Sequence, residues 1–473
     1  MTTTKNNEHK KLNFSSEREQ SQACLNSAEH EKNQGRKVLN VPNKREQNQT
    51  CLDSAEREGL RPKGNVPNLR FPEFQGEWEK CKVSDLLDFY STNSLSWDKL
   101  EYGTDAIQNL HYGLIHVGLP TMIDLSKDKL PNITNGNTPK NYELCQEGDI
   151  AFADASEDTN EVAKAVEFYK LNGKDVICGL HTIHGRDNQQ KTVVGYKGYA
   201  FSSTAFHHQI RRIAQGTKIY SINSKNFSEC YIGIPSKEEQ KKIATLLQLI
   251  DERIATQNKI IDKLQSLIKG LNDSLYAQYG DKVLTSFAEL GTSYSGLSGK
   301  SAQDFGSGKP FITYLNVYSN NVINENDFQY VAIKNGEKQN IVEYGDVLFT
   351  LSSETPEEVG IGSVYLGKEK VYLNSFCFGI HITNMEVAFP PYLSYYVSST
   401  AFRKFIYPYA QGSTRFNLCK ADFEKASIKL PTLENQKRIL SILSHIDSKI
   451  ETEIQMLNLY NSQKQYLLRQ MFI

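Results

Sequence analysis

The sequence lacks the features that would place it in a membrane. None of its apolar runs approaches the roughly 18 residues that a membrane-spanning helix needs. The chain is polar from Met1 onward and shows no apolar core of a signal peptide. We therefore predict a cytoplasmic protein without contact to a membrane.

An excess of one charge is also missing, because 54 Lys and Arg stand against 55 Asp and Glu. Any nucleic-acid-binding surface must then be local, since the net charge gives no attraction to phosphate. The eight cysteines are scattered and form no C-x-x-C pair. We expect reduced thiols, with neither a disulfide framework nor a metal site.

Motifs for nucleotide or cofactor binding are incomplete. The run 296–301, Gly-Leu-Ser-Gly-Lys-Ser, resembles the end of a phosphate-binding loop, but the first glycine of that motif would fall on Tyr294. Phe389-Pro-Pro-Tyr392 lacks the leading Asn or Asp of an amine-binding methyltransferase motif. We interpret the first run as a strand-connecting or DNA-facing loop and the second as a helix start.

Isolated titratable residues do not assemble a catalytic site either. Asp149 and Asp346 each follow a glycine and precede an apolar strand, so a turn role outweighs acid-base chemistry. His181 and His381 occupy matched places within apolar strands, without a second ligand nearby, and we expect core histidines bonded to the backbone. We predict no catalytic residue and no cofactor on this chain.

What the sequence does contain is a heptad helix that occurs twice. Apolar residues recur at steps of four and three after Pro235, and the pattern returns after Pro431, with polar Gln257 and Glu453 in the same interrupted slot. The two helices are predicted to pair with each other. The helix-pairing residues are Ile243, Leu247, Ile250, Ile254, Ile261, Leu264, Ile439, Leu443, Ile446, Ile450, Leu457 and Leu467.

The segments before the two helices are also copies. Ser202 to Phe206 matches Ser398 to Phe402, and Ala214-Gln-Gly matches Ala410-Gln-Gly. Both segments are rich in short β-branched and aromatic runs broken by Gly, Asn and Pro, which favours an α+β or mostly β domain in each, and we predict the α+β class for the whole chain. The predicted domains are a polar, disordered tail (1–65), a first globular domain (66–234), a first long helix (235–280), a second globular domain (281–430) and a second long helix (431–473).

The chain resembles the specificity subunits of type I restriction-modification systems. The resemblance lies in VPNLRFPEFQGEW, GDIAFADASED, GDVLFTLSSE and the two helix starts IPSKEEQKKIATLLQLIDERI and LPTLENQKRILSILSHIDSKI. It implies two target recognition domains, each binding half of a bipartite, asymmetric DNA site, and two conserved helices that pair as an antiparallel coiled coil and hold the domains apart. One departure is Asn435, where the first copy has Glu239.

The resemblance also implies partners and cofactors. Double-stranded DNA would be bound by this chain, two modification subunits would carry S-adenosylmethionine and methylate adenine, and restriction subunits would use ATP and Mg²⁺. The chain itself would be non-catalytic. A different class remains open at this point: a coiled-coil adaptor that joins two β-rich protein-binding domains without contacting DNA.

DNA contacts are expected from Arg, Lys, Asn, Gln and Ser side chains in loops of the recognition domains, because these groups bond base edges and phosphates. The candidate DNA-binding residues are Arg186, Asn188, Gln189, Gln190, Lys191, Gln215, Lys218, Lys300, Ser301, Lys309, Gln411 and Arg415.

Overall fold

A computed structural model describes residues 64–279 and 282–473. The predicted tail (1–65) therefore lies almost wholly outside the described residues. The chain contains two globular segments, and each is followed by a long helix. We call these segments module 1 (64–234) and module 2 (282–431). The predicted α+β class, with each module followed by a long helix, is confirmed.

Module 1 is built from short strands and short helices. Its strands are β1 (Glu79–Lys82), β2 (Asp88–Tyr90), β3 (Leu100–Glu101), β4 (Gln108–Leu110), β5 (Met122–Asp124), β6 (Asn132–Ile133), β7 (Ile150–Ala153), β8 (Ala155–Ser156), β9 (Ala165–Lys170), β10 (Val176–Cys178), β11 (Thr182–Arg186), β12 (Tyr220–Ser221) and β13 (Tyr231–Ile234). Its helices are α1 (Val83–Leu86), α2 (Tyr112–Val117), α3 (Lys197–Phe201), α4 (Thr204–Ile213) and α5 (Ser224–Ser228), with a 3₁₀ turn at Trp97–Lys99.

The first long helix, α6, spans Lys237–Gln278. In module 2 the strands are β14 (Lys282–Thr285), β15 (Gly291–Ser295), β16 (Phe305–Ile312), β17 (Gln329–Val331), β18 (Val347–Thr350), β19 (Ser352–Ser353), β20 (Gly362–Val364), β21 (Tyr372–Leu373), β22 (Cys377–Ile382), β23 (Ala410–Gln411), β24 (Phe416–Leu418) and β25 (Ile428–Pro431). Its helices are α7 (Phe287–Leu290), α8 (Tyr314–Ser319), α9 (Pro390–Tyr396), α10 (Thr400–Ile406) and α11 (Lys420–Lys425), with 3₁₀ turns at Ala302–Asp304, Glu325–Asp327, Pro356–Glu358 and Tyr407–Tyr409. The second long helix, α12, spans Leu433–Gln470.

The two modules share one sheet topology. The largest sheet of module 1 has the order β2-β11-β7-β9-β5, and its counterpart in module 2 has the order β15-β22-β18-β20. The four strands common to both are antiparallel to one another, and the additional strand β5 is parallel to β9. A second matched pair joins β1 to β13 and β14 to β25, so the first and last strands of each module meet beside the long helix.

A buried glutamine joins each module to its helix. Gln240 accepts a hydrogen bond from Val193 N at 2.8 Å and donates to Lys191 O and Pro235 O at 3.1 and 2.9 Å. Gln436 makes the same three bonds in module 2, to the backbone at 387, 389 and 431. Both amides are fully buried. The glutamine of the repeated helix start is therefore a clamp that satisfies one backbone N–H and two carbonyls.

The acidic residue that Asn435 replaces, Glu239, has a structural role in module 1. Glu239 is buried and accepts two hydrogen bonds of 2.7 Å from the guanidinium of Arg70, which lies in the lead-in segment of module 1, ahead of β1. This bidentate ion pair fixes that segment to the start of α6.

The two long helices run antiparallel. Beside module 1, Asp251 of α6 pairs with Lys464 of α12 at 2.6 Å, and Gln257 donates to the carbonyl of Glu453 at 3.1 Å. Residue numbers rise along one helix as they fall along the other. Beside module 2, Leu275 of α6 shares an apolar cluster with α12. The predicted antiparallel pairing is confirmed.

The polar interruptions of the two heptad patterns meet each other. The amide of Gln257 also donates to the carboxylate of Glu453. A polar pair at one position of an apolar seam disfavours shifted alignments, because a shift would bury each group without its partner.

The predicted seam residues divide into two groups by burial. The buried ones are Ile243, Leu247, Ile250, Ile261, Ile439, Leu443, Ile450 and Leu467. The half-buried ones are Ile254, Leu264, Ile446 and Leu457. Several of the buried residues pack against a module as well as along the helix pair. Ile243 and Leu247 lie in the core of module 1, and Ile439 and Leu443 lie in the core of module 2.

Candidate nucleic-acid interface

A buried aspartate stabilises the same turn in both modules. Asp149 accepts the backbone N–H of Gln146 at 2.8 Å, and Asp346 accepts that of Glu343 at 2.9 Å. The predicted turn role of the two aspartates is confirmed. Each carboxylate then serves as an acceptor for side chains of the neighbouring strands.

The partners of the two aspartates differ. Asp149 accepts from His184 and from the guanidinium of Arg186, and although burial favours the neutral acid, these hydrogen bonds lower the pKa of Asp149. Asp346 accepts from Tyr294 and His381, but burial prevails and raises its pKa. One backbone frame therefore holds two different polar networks.

Strand register shows which residues of the modules are equivalent. Gly185 lies opposite Ile150, and Ile380 lies opposite Val347, so Arg186 and His381 occupy the same position. The predicted match between His181 and His381 is wrong. The expectation that both are core histidines bonded to the backbone is also wrong, because His181 is half exposed and bonds Asp154, while His381 bonds Asp346.

The true counterpart of His181 is Phe376. The backbone N–H of Asp154 donates to His181 O at 3.1 Å, and that of Leu351 donates to Phe376 O at 2.9 Å. Both residues immediately precede the second strand in the order of their sheet, β11 or β22. The sequence match failed here because the loops between the two anchors differ in length.

Three chain segments meet at this end of each sheet, and we call them together the matched edge. In module 1 they are 154–156, 179–181 and 215–222, and in module 2 they are 351–353, 374–376 and 411–418. The backbone N–H of Ile222 donates to Asp154 O at 3.0 Å, as that of Leu418 does to Leu351 O at 2.8 Å. The segment 154–156, like 351–353 in module 2, therefore lies between the other two segments and is hydrogen-bonded to both.

The third segment of each edge is a tight loop fixed by a glycine. Gln215 exchanges two backbone hydrogen bonds with Ser221, and Gln411 pairs with Asn417. Gly216 and Gly412 have φ of 142° and 140°, and a Cβ there would lie 1.9 and 2.1 Å from a backbone carbonyl oxygen across the loop. The Ala-Gln-Gly repeat therefore encodes a loop that other residues cannot form without strain.

The side chains presented by the two edges are exposed and different. In module 1 the loop displays Gln215, Lys218 and Ile219, beside the half-exposed ring of His181. In module 2 it displays Gln411, Ser413, Thr414 and Arg415, beside Phe376, whose ring is 55% exposed. Amide, hydroxyl and cationic groups of this kind can bond base edges and phosphates, and exposed rings can pack on sugars or bases.

Other predicted contact residues lie away from these edges. Arg186 is buried, and its guanidinium is bonded to Asp149, Glu143 and the carbonyl of Leu144, so it has a structural role in module 1. The loop after it carries the candidates Asn188, Gln189, Gln190 and Lys191 and starts at the opposite end of β11 from His181.

That loop is anchored towards the helix. Asn188 bonds Asp88 and Tyr90, and the carbonyl of Lys191 accepts from the clamp residue Gln240. Gln189 and Gln190 are exposed, and Gln190 has a φ of 52°. Five residues of strand separate this loop from His181, a span of about 16 Å, so the loop and the matched edge are distinct surfaces of module 1.

In module 2, the run 296–301 connects β15 to β16, as the strand-connecting interpretation predicts. Lys300 is bonded to Ala332 O and Glu337, while Ser301 caps the following 3₁₀ turn. Lys309 is exposed on β16. The other rejected motif, Phe389-Pro-Pro-Tyr392, starts helix α9 as predicted.

Comparison with known proteins identifies the family. A sequence model described as "Type I restriction modification DNA specificity domain" matches residues 129–266 and 289–459, more than half of the chain. The chain belongs to this family. It is therefore a DNA specificity subunit, and the adaptor alternative without DNA contact is not supported.

Similar proteins carry related names. A protein of Methanocaldococcus jannaschii, named as a type I restriction enzyme MjaX specificity subunit, is 25% identical, with 82% of this chain and 91% of the relative covered. A solved structure from a study of complex assembly and conformational transition in the type I system is 14% identical, covers 83% of this chain and 96% of its own, and has a TM-score of 0.53. The S subunit of M. genitalium is 14% identical, covers 86% and 99%, and has a TM-score of 0.46.

The family assignment confirms the predicted role of a non-catalytic specificity subunit, whose general partners are DNA and the other subunits of such a system. The catalytic cofactors of these systems are not expected on a specificity subunit. Within residues 64–279 and 282–473, no helix combines the length and apolar character required to cross a membrane.

Proposed function

We propose that the chain reads a bipartite, asymmetric DNA site, with the matched edge of module 1 on one half-site and that of module 2 on the other. The observation that carries this proposal is that both modules present the same backbone at this edge with different side chains. Two copies of one scaffold with unlike contact groups would select unlike half-sites.

Within each edge, the glycine loop is the proposed base-reading element. Arg415 can form a bidentate pair with guanine, and Gln215 and Gln411 can do so with adenine. Lys218 is a single point charge and suits a phosphate or one guanine acceptor. Of the remaining sequence candidates, exposed Lys309, Gln189 and Gln190 could contact phosphate. Arg186 and Lys300 are instead paired with carboxylates of their own modules, Arg186 with Asp149 and Lys300 with Glu337.

The recognised site would be modified by other chains. Two modification subunits that carry S-adenosylmethionine would methylate adenine within it, and restriction subunits that use ATP and Mg²⁺ would complete the assembly in the cytoplasm. The paired helices would serve as the spacer and as the docking surface for those subunits. Inserting one heptad into both helices should then change the number of unread base pairs and leave both half-sites intact.

The test uses the chain co-expressed with its modification subunits, with N6-methyladenine mapped by single-molecule sequencing. We expect one split, asymmetric motif. Arg415→Ala should relax or lose only the half-site read by module 2, and Lys218→Ala should affect only the other half. A lost base contact is worth about 1–3 kcal/mol of discrimination.

Lys225→Ala is the matched control, because this lysine is also exposed on module 1 but lies in α5, outside the matched edge. Its motif should be that of the parent. Methylation of a continuous palindrome would refute the bipartite model, and an unchanged motif in both edge variants would refute the assignment of the matched edges.

A further inference from the structure

Three buried side chains of module 1 bring ligand atoms to one place. The sulfurs of Cys145 and Cys178 lie 3.6 Å apart, and the ligand atoms of these cysteines and His184 all lie within 4.8 Å of one another. All three residues are at least 95% buried. The cysteines are 33 residues apart in the chain, so no sequence spacing reveals the group.

The ring of His184 has one nitrogen engaged and one without a partner. Its Nε2 lies 2.7 Å from Asp149 Oδ2, whereas its Nδ1 is buried and has no hydrogen-bond partner among the described residues. A carboxylate bonded to one ring nitrogen fixes the tautomer that leaves the other nitrogen free to bind a metal. The buried Nδ1 is thus the ring nitrogen that remains available to a metal.

We propose that Cys145, Cys178 and His184 bind a zinc ion, oriented by Asp149. Zinc–sulfur bonds of about 2.3 Å at a tetrahedral angle separate two sulfurs by about 3.8 Å, close to the spacing observed here. Two thiolates and a neutral imidazole match the charge of Zn²⁺. The group contains three ligands among the described residues, so a fourth ligand, such as a solvent molecule, would complete the tetrahedron.

Module 2 replaces the ligands with apolar groups. The backbone N–H of Cys145 donates to Val176 O, and that of Val342 donates to Val371 O, so Val342 stands where Cys145 does. Continuing along β10 and β21, buried Leu373 stands where Cys178 does.

The histidine position differs as well. The strand register places Gly379 at the position of His184, and the ring of Tyr294 fills the space beside that glycine. The same backbone positions therefore carry metal ligands in module 1, and two apolar side chains and a glycine covered by a tyrosine ring in module 2. Module 2 shows which residues can replace the ligands without changing the backbone.

The ion would have a structural role next to the matched edge. Cys178 ends β10 and directly precedes the edge segment 179–181, while Cys145 lies shortly before β7, which leads into 154–156. Binding both cysteines and β11 through His184 would hold these segments together. This role does not depend on DNA recognition, so the metal can be tested without any DNA.

The first test measures zinc in the full chain, purified with its partner subunits and without chelator. We expect about one zinc per chain in the parent and in Cys419→Ser, a cysteine of module 2 outside the group. The double variant Cys145→Val with Cys178→Leu copies the module 2 residues and should contain none. An equal zinc content in parent and double variant would overturn the proposal.

The second test needs no variant. After chelation, Co²⁺ added to the parent should give the absorption of a tetrahedral site with thiolate-to-metal charge transfer, and chelation should lower the melting temperature reversibly. Absence of both signals in a folded parent would overturn the proposal. So would a Cys145–Cys178 disulfide in the metal-free chain, identified by mass spectrometry of its cross-linked peptides.

Discussion

The clamp residue Gln240 gives a quantitative test of how each module is attached to its helix. In Gln240→Met the side chain keeps its length but loses all hydrogen-bonding groups. Val193 N, Lys191 O and Pro235 O are then left without their partner. Each unsatisfied buried group costs about 1–3 kcal/mol, so we expect a loss of at least about 3 kcal/mol in the free energy of unfolding.

The assay can be confined to one module because both tryptophans of the chain, Trp78 and Trp97, lie in module 1. Urea unfolding followed by tryptophan fluorescence should show a large decrease in the midpoint for Gln240→Met. Gln436→Met, the matched change in module 2, should affect the circular dichroism transition more than the fluorescence. Gln265→Met, on an exposed position of α6, is the control and should stay within about 0.5 kcal/mol of the parent. If Gln240→Met is as stable as this control, the clamp does not hold the module to the helix.

Three further predictions concern stability. Arg70→Met should cost about 3–5 kcal/mol in urea unfolding, because it leaves Glu239 buried and unpaired; the double variant with Glu239→Met should recover part of this loss, and no recovery would contradict the ion-pair explanation. Burial lowers the pKa of His207 to about 4, whereas the pKa of a histidine in the unfolded chain is about 6.5. Between these two values the native state binds fewer protons than the unfolded state. The free energy of unfolding should therefore fall by up to about 3 kcal/mol as the pH is lowered from 6.5 to 4. His207→Gln should remove that part of the pH dependence, and parallel curves for parent and variant would refute it. Gly412→Ala should destabilise module 2 by about 1–3 kcal/mol because of its φ of 140° and the facing carbonyl. Gly270→Ala, at an open position within α6, should instead stabilise the chain by about 0.5–1 kcal/mol. If thermal unfolding shows the same sign for both variants, Gly412 is not required by the loop geometry.

The sequence was sufficient for the long-range order of the fold. Heptad periodicity predicted two long helices, and the structure has them at Lys237–Gln278 and Leu433–Gln470, since a repeated apolar spacing reports directly on a helix face. The repeated Pro, Gln and Ala-Gln-Gly positions predicted a duplication, because each is required by a local backbone or clamp geometry that both copies share.

The candidate site could be predicted only in part. Gln215 and Gln411 were selected because each stands before the glycine of the Ala-Gln-Gly run that occurs twice in the chain. Phe376 was not selected, because its counterpart is a histidine and the intervening loops differ in length. Arg186 was selected for its chemistry, but its burial against Asp149 depends on strand pairing. Which polar residue faces solvent is decided by tertiary contacts that a single sequence does not display.

The bond between Arg70 and Glu239 bears on how such a chain could acquire new specificity by recombination. The clamp glutamine is present in both copies, so a crossover near either helix start would deliver a module to a helix that can still hold it. The lead-in arginine has its acceptor only on α6, since α12 carries Asn435 at that place. A lead-in segment fused ahead of a module that ends in the second helix start would bring an unmatched guanidinium. Exchange of module 2 leaves the Arg70–Glu239 pair in place, whereas placing the segment that carries Arg70 ahead of α12 loses it, so the two helix starts are not interchangeable.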